Sequence, residues 1–218
     1  MSNWEPLKIP NNHMKEINNI IKISKKMIYN RIELDSNFIG NNQVNYNIAD
    51  GYAGIALACS YFDIIFPDEK WDVLGKKCLE ITVNSLEKEK ELDIGLFSGL
   101  SGIAMSAVFL SRNFTRYNNL IKTFDDLLLT KTVKFSETLN TQKDGISRSS
   151  YDIINGMSGV GAYLLYKNKT KRVRYALETI LRTFVNLCGD GNKKFYFYIK
   201  NDHLSSYEKH TEQILIWC

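Results

Sequence analysis

Metal-ligand patterns, linker composition and long apolar runs are all missing from this sequence. Three histidines and four cysteines are spread through 218 residues. Cys59, Cys78, Cys188 and Cys218 lie far apart, with no CxxC and no neighbouring Cys-His pair. In a chain without a secretory signal they read as buried or free thiols, not disulfides. Three prolines are too few for a proline-rich spacer. The start, Met1-Ser2-Asn3-Trp4-Glu5-Pro6, has no basic region followed by an apolar stretch, so no secretory signal is read there. The most apolar segment, Ala53 to Phe66, is broken by Ser60 and Asp63. It falls short of the roughly 20 residues that cross a bilayer. The expectation is a soluble, cytoplasmic protein with no transmembrane segment.

Charge of one sign is also missing. The net charge is +4, and acids and bases alternate, as in Glu87-Lys88-Glu89-Lys90-Glu91. No basic stripe tracks a phosphate backbone, which argues against nucleic acid as a partner. At 44% hydrophobic and 24% charged, the composition is that of a folded domain with a sizeable core.

What the sequence does contain is a repeat. Asp50-Gly51-Tyr52-Ala53-Gly54-Ile55-Ala56 is echoed by Ser98-Gly99-Leu100-Ser101-Gly102-Ile103-Ala104, and again by Asn155-Gly156-Met157-Ser158-Gly159-Val160-Gly161. Each copy is Gly-x-[Ala/Ser]-Gly-[Ile/Val]-[Ala/Gly] followed by an apolar helix-forming run. The spacings, 48 from Gly51 to Gly99 and 57 from Gly99 to Gly156, fit a repeat architecture. Longer amphipathic stretches separate the copies: Met14 to Ile32, Asp68 to Glu91, Tyr117 to Thr138 and Lys169 to Leu187. Their apolar stripes read as core packing, and Gly189-Asp190-Gly191 stops the last.

A short helix apolar nearly all round belongs inside, and a long one-faced helix belongs outside. The reading is therefore all-α, an incomplete α/α toroid of long outer and short Gly-rich inner helices. Glycines three apart bare one helical face to a neighbouring backbone. Asp50, Ser98 and Asn155 are the expected N-caps, all on one rim. After Gly191, the run Phe195-Tyr196-Phe197-Tyr198-Ile199 reads as extended, a strand or flap.

Gly95-Leu96-Phe97-Ser98-Gly99-Leu100-Ser101-Gly102-Ile103-Ala104 resembles the second inner-helix motif of LanC-type lantibiotic cyclases, the lanthionine synthetase C-like family. Tyr151-Asp152-Ile153-Ile154-Asn155-Gly156-Met157-Ser158-Gly159 resembles the third, and the likeness runs from about residue 15 to about 208. The resemblance implies a seven-fold α/α toroid that closes thioether rings by adding peptide thiols to dehydroalanine or dehydrobutyrine. It implies a zinc ion held by two Cys and one His, with the fourth position left for the substrate sulfur. It also implies a lantibiotic precursor peptide as substrate and a dehydratase as partner.

Asp152 matches the family's active-site Asp and is the one candidate catalytic residue; a purely structural Asp152 would cap the helix that follows it. The family's Gly-Leu-Ala-His-Gly, Trp-Cys-x-Gly and Cys-His-Gly motifs are not found in this sequence. No zinc is therefore expected on this chain. Trp217-Cys218 echoes one motif by coincidence, and His13, His203 and His210 lie in polar segments and read as solvated.

Residues 1–218 read as a single domain, the N-terminal portion of the toroid, with 209–218 an out-of-frame tail. Under assumed AT-rich codons, a one-base shift shortly before Ile214 gives Asn-Phe-Asn-Leu, which resembles the entry to the family's Gly-Leu-Ala-His-Gly motif. Alone, such a chain is expected to be inactive. The other readings are half of a split cyclase completed by a separate C-terminal half, or a non-catalytic module binding precursor peptide or dehydratase. A toroidal glycosidase or terpenoid cyclase ranks last, because the repeats offer only Asp50 and Asp152 as carboxylates.

Overall fold

The computed structural model describes residues 10–36, 45–142, 145–167 and 170–189. These fall into two compact units, divided after residue 43. The first contains helix α1, Met14–Ser36, preceded by a single turn at Asn11–His13. Its stripe is only partly buried: Ile32 is buried and Ile17, Ile21 and Ile28 are half-buried, whereas Ile20 is 62% and Met27 67% exposed.

The second unit carries the repeats. Helices α2 (Tyr52–Ile65), α4 (Leu100–Leu110) and α7 (Met157–Lys167) each begin at one of the glycine motifs. They alternate with the longer α3 (Trp71–Leu86), α5 (Asn118–Thr141) and α8 (Lys171–Cys188). A one-turn helix, α6 (Arg148–Tyr151), precedes α7. The described residues are all-α, as the sequence predicts. The N-terminal loops of α2, α4 and α7 stand side by side, and α3, α5 and α8 pack behind these helices. The middle helix α4 is buried along most of its length, including Leu100, Ile103, Ala104, Ala107 and Leu110. Trp71 of α3 is wholly buried, its ring 4.7 Å from that of Phe62 on α2.

The boundaries have local causes. Thr170 caps α8 by accepting the Val173 N–H at 3.2 Å. Gly189 ends it at φ 75°, a conformation that costs other L-residues about 1 kcal/mol or more. Pro67 stops α2. The outer stripes are only partly core, however. Val73, Leu127, Leu181 and Val185 are exposed, so those expected core positions face outward.

The inner helices repeat one steric device. A Cβ on Gly54, Gly102 or Gly159 would overlap the carbonyl oxygen of Ile48, Leu96 or Ile153, six residues earlier in each case. The backbone that comes close to the bare face is thus the helix's own incoming loop, folded back over the first turn. A second position recurs as well. Tyr61, Phe109 and Tyr166 each lie ten residues after the first glycine of their motif. The Phe109 ring stands 5.9 Å from Tyr61 and 5.4 Å from Tyr166, an aromatic ladder across three inner helices.

Candidate functional site

The folded-back loops of α2, α4 and α7 stand side by side and are hydrogen-bonded in series. The Phe97 carbonyl accepts the N–H groups of Ile48 at 3.1 Å and Ala49 at 3.3 Å. In turn Phe97 N–H donates to the Ile154 carbonyl at 2.9 Å. The Ser98 hydroxyl donates to Asn155 Oδ1 at 2.6 Å. These bonds form a continuous rim on which Asp152 sits, half-buried.

The expected caps are corrected by this geometry. Gly51 and Gly99 occupy the N-cap positions of α2 and α4, without side-chain capping bonds. Asp50 is exposed and donates its own N–H to Asn47 Oδ1 at 3.0 Å. Ser98 and Asn155 spend their side chains on each other. Because the loops fold back over their helices and lie side by side, Ser98 and Asn155 meet along the rim.

The Asp152 carboxylate performs the bonding that a cap would. Its Oδ1 accepts three backbone N–H groups, from Ile154 at 3.0 Å, Asn155 at 2.7 Å and Gly156 at 3.0 Å. Its own carbonyl accepts Gly159 N–H at 3.4 Å. The other carboxylate oxygen, Oδ2, has no hydrogen-bond partner among the described residues. Asp152 is therefore rigidly aimed through one oxygen, with the second available to an incoming group. The structural reading of Asp152 is correct as far as it goes, and it leaves an acceptor for chemistry.

A zinc site does not form from the described residues. No three His, Cys, Asp or Glu side chains gather there. Cys59 on α2 and Cys78 on α3 are buried free thiols, and Cys188 is exposed. The Cys78 thiol is pushed far up from its ordinary value, first by the neighbouring Cys59 thiol and then by burial. Such a thiol is a poor source of the thiolate a metal needs. His13 is exposed beside Glu16 at 3.4 Å. His203, His210, Cys218, the aromatic run at 195–199 and the tail at 209–218 lie outside the described residues.

The Ser98–Asn155 bond is not among the sequence expectations, although its signal is present. Both residues precede the first glycine of their repeat, so side-by-side loops make equivalent positions neighbours.

The comparisons with known proteins agree with this fold. A family model described as lanthionine synthetase C-like protein matches residues 42–213. Nisin biosynthesis protein NisC of Lactococcus lactis subsp. lactis is 27% identical over 140 residues, which is 64% of this chain and 32% of that protein. The solved structure of a nisin cyclase matches with a TM-score of 0.76 at 23% identity, covering 88% of this chain and 46% of that one. The chain thus spans less than half the length of these relatives, and its fold is that of part of their helical toroid. With most of its length matched by the family model and its inner helices built on the family's repeat, the chain belongs to the lanthionine synthetase C-like family.

Proposed function

We propose that the rim around Asp152 serves the formation of thioether rings in a lantibiotic precursor peptide. The observation that carries this reading is the Asp152 carboxylate, fixed by three backbone N–H groups through Oδ1 and open at Oδ2, within the residues 42–213 that the family model matches. In ring closure a cysteine sulfur bonds to the β-carbon of a dehydroalanine or dehydrobutyrine. The carbon–carbon double bond opens to an enolate, and a proton is delivered to the α-carbon. The thiol proton must leave and another must arrive, so a positioned proton carrier is required. Asp152 Oδ2 takes that role, held in place by its partner oxygen.

Zinc, when present in the family, holds the attacking sulfur as thiolate. The described residues do not offer its Cys/Cys/His ligand set, so no step is assigned through the metal here. We further propose that the metal-binding part is supplied by sequence carrying the Trp-Cys-x-Gly and Cys-His-Gly motifs. The dehydratase and the cytoplasm remain the proposed partner and location; among the described residues no helix is long and apolar enough to cross a membrane.

The test is mass spectrometry of a dehydrated precursor peptide after thiol alkylation. The peptide is incubated with the full chain, and with the full chain plus a polypeptide bearing those motifs. Protection of thiols in the second arm, lost with Asp152→Asn, supports the reading. Binding without protection in either arm would make the chain a non-catalytic binding module instead.

A further inference from the structure

Beside the rim, between the loop at 91–98 and helix α5, lies a cleft of about 660 Å³. Its α5 wall carries Lys131 and Lys134, one helical turn apart. Neither ammonium group has an ion-pair or hydrogen-bond partner among the described residues. The loop wall carries Glu91 and Asp93, whose carboxylates also form no ion pair among the described residues. Charges of both signs thus line the cleft, and no ion pair among the described residues joins them. Ser98 and Asn155 also line it, and Asn155 N–H is one of the three donors to Asp152. The cleft is therefore continuous with the rim.

We infer that this cleft seats an extended peptide segment bearing both an acidic and a basic side chain, beside the residue handled at Asp152. The ligand carboxylate lies against Lys131 and Lys134, and its cation against Glu91 and Asp93. With the Ser98 hydroxyl donating to Asn155 Oδ1, the Asn155 amide nitrogen is the group left to donate to a peptide carbonyl. The acidic loop wall disfavours a polyanion such as nucleic acid, whose phosphates would meet like charge. This inference rests on the peptide-modifying reading and adds to it a determinant of which peptide segments bind.

Fluorescence anisotropy on the full chain tests it with labelled dodecapeptides. One probe carries Asp and Lys in a Ser/Gly background; a second replaces them with Asn and Gln; oligothymidine is a third. The bipolar peptide should bind at least about tenfold more tightly than the neutral one, a difference of about 1.4 kcal/mol. K131E/K134E should abolish that preference. K131Q/K134Q, a milder change, should reduce it severalfold with the circular dichroism spectrum unchanged. Asp152→Asn should leave it intact. Equal binding of the two peptides, a preference that survives K131Q/K134Q, or tighter binding of oligothymidine would overturn the proposal. Because this readout needs no chemistry, loss of thiol protection with intact preference would count against the cyclase reading and leave the cleft standing.

Discussion

Asp63 on α2 and Arg112 in the turn after α4 form a two-point ion pair. Nε donates to Oδ2 and Nη2 to Oδ1, each at 2.6 Å, and the Asp63 side chain is 2% exposed. Arg112 also opens a run of three left-handed residues with Asn113 and Phe114, at φ 48°, 56° and 63°. Such backbone costs roughly 1–2 kcal/mol per residue for non-glycine types, so the turn must be held from outside. The pair does this, helped by Ser111 Oγ accepting Phe114 N–H at 2.9 Å. Asp63→Asn should therefore destabilise the chain by about 1–2 kcal/mol, a charged hydrogen bond discounted for solvent screening at the exposed Arg112 end. Urea denaturation would measure it. Arg112→Lys keeps the charge but not the planar fork, and should fall between wild type and Asp63→Asn.

Two glycines in the same kind of helix should respond with opposite signs. Gly102→Ala would drive a Cβ into the Leu96 carbonyl, a backbone atom that cannot move without unseating the loop. A loss of at least about 3 kcal/mol is expected, by analogy with other severe steric insertions in cores. Gly161 meets nothing within 4 Å of its Cβ position. Gly161→Ala should be neutral or stabilising by up to about 1 kcal/mol, through helix propensity alone. Thermal melts of the two variants separate a fold-back glycine from a spectator.

The repeat was legible because its cause is local: one steric device forces the same glycines at each inner helix. The helix class, the alternation of long and short elements and the rim could therefore be read directly. The capping roles could not. They depend on the loop folding back over its helix, which moves Ser98 and Asn155 sideways and gives the backbone N–H groups to Asp152. Nor was the Asp63–Arg112 pair legible, since its partners are 49 residues apart and no single-sequence pattern links them. The left-handed run at 112–114 has only Asn113 as a residue that favours it. The cleft at Lys131 and Lys134 was hidden in an ordinary charged helix face, and only the loop opposite makes it a site.

Alkaline pH should destabilise the fold before it affects the surface. Cys78 and Tyr163 both hold their protons more tightly in the folded chain. For Cys78 the causes are the neighbouring Cys59 thiol and burial; for Tyr163 they are burial and then Asp125, whose Oδ1 accepts its hydroxyl at 2.5 Å. A raised folded pKa gives stability that is complete below the unfolded value and lost as pH rises past it. The unfolded thiol releases its proton near the ordinary value of 9.0 and the phenol near 10.0. Above pH about 9 the unfolding free energy should fall by up to about 1.4 kcal/mol per pH unit for the thiol alone, and more steeply once the phenol joins. Urea titrations from pH 7 to about 10.5 measure the slope. Cys78→Ala and Tyr163→Phe should each flatten it. Alkylation gives an independent reading, since Cys188 should react in the native protein while Cys59 and Cys78 wait for unfolding.

Asp152 has two separable duties, and two substitutions pull them apart. Asp152→Ala removes the acceptor for three backbone N–H groups and should cost about 1–2 kcal/mol, as the loss of a strong helix cap does. Any loss of thioether formation in that variant would be ambiguous, because the loop from Ile153 to Gly156 would loosen with it. Asp152→Asn keeps a carbonyl oxygen for the same three donors, so its stability should lie within about 0.5–1 kcal/mol of wild type. What it removes is the carboxylate character of Oδ2, replaced by an amide that can donate but not carry the proton. If proton transfer is the residue's task, the complemented reaction should slow by roughly a hundredfold or more, within the range that general acid–base groups contribute, while peptide binding is unchanged. A variant that loses stability and activity together would instead confine Asp152 to holding the α7 loop. Full activity in Asp152→Asn would move the proton-transfer role to another residue, leaving Asp152 as a cap.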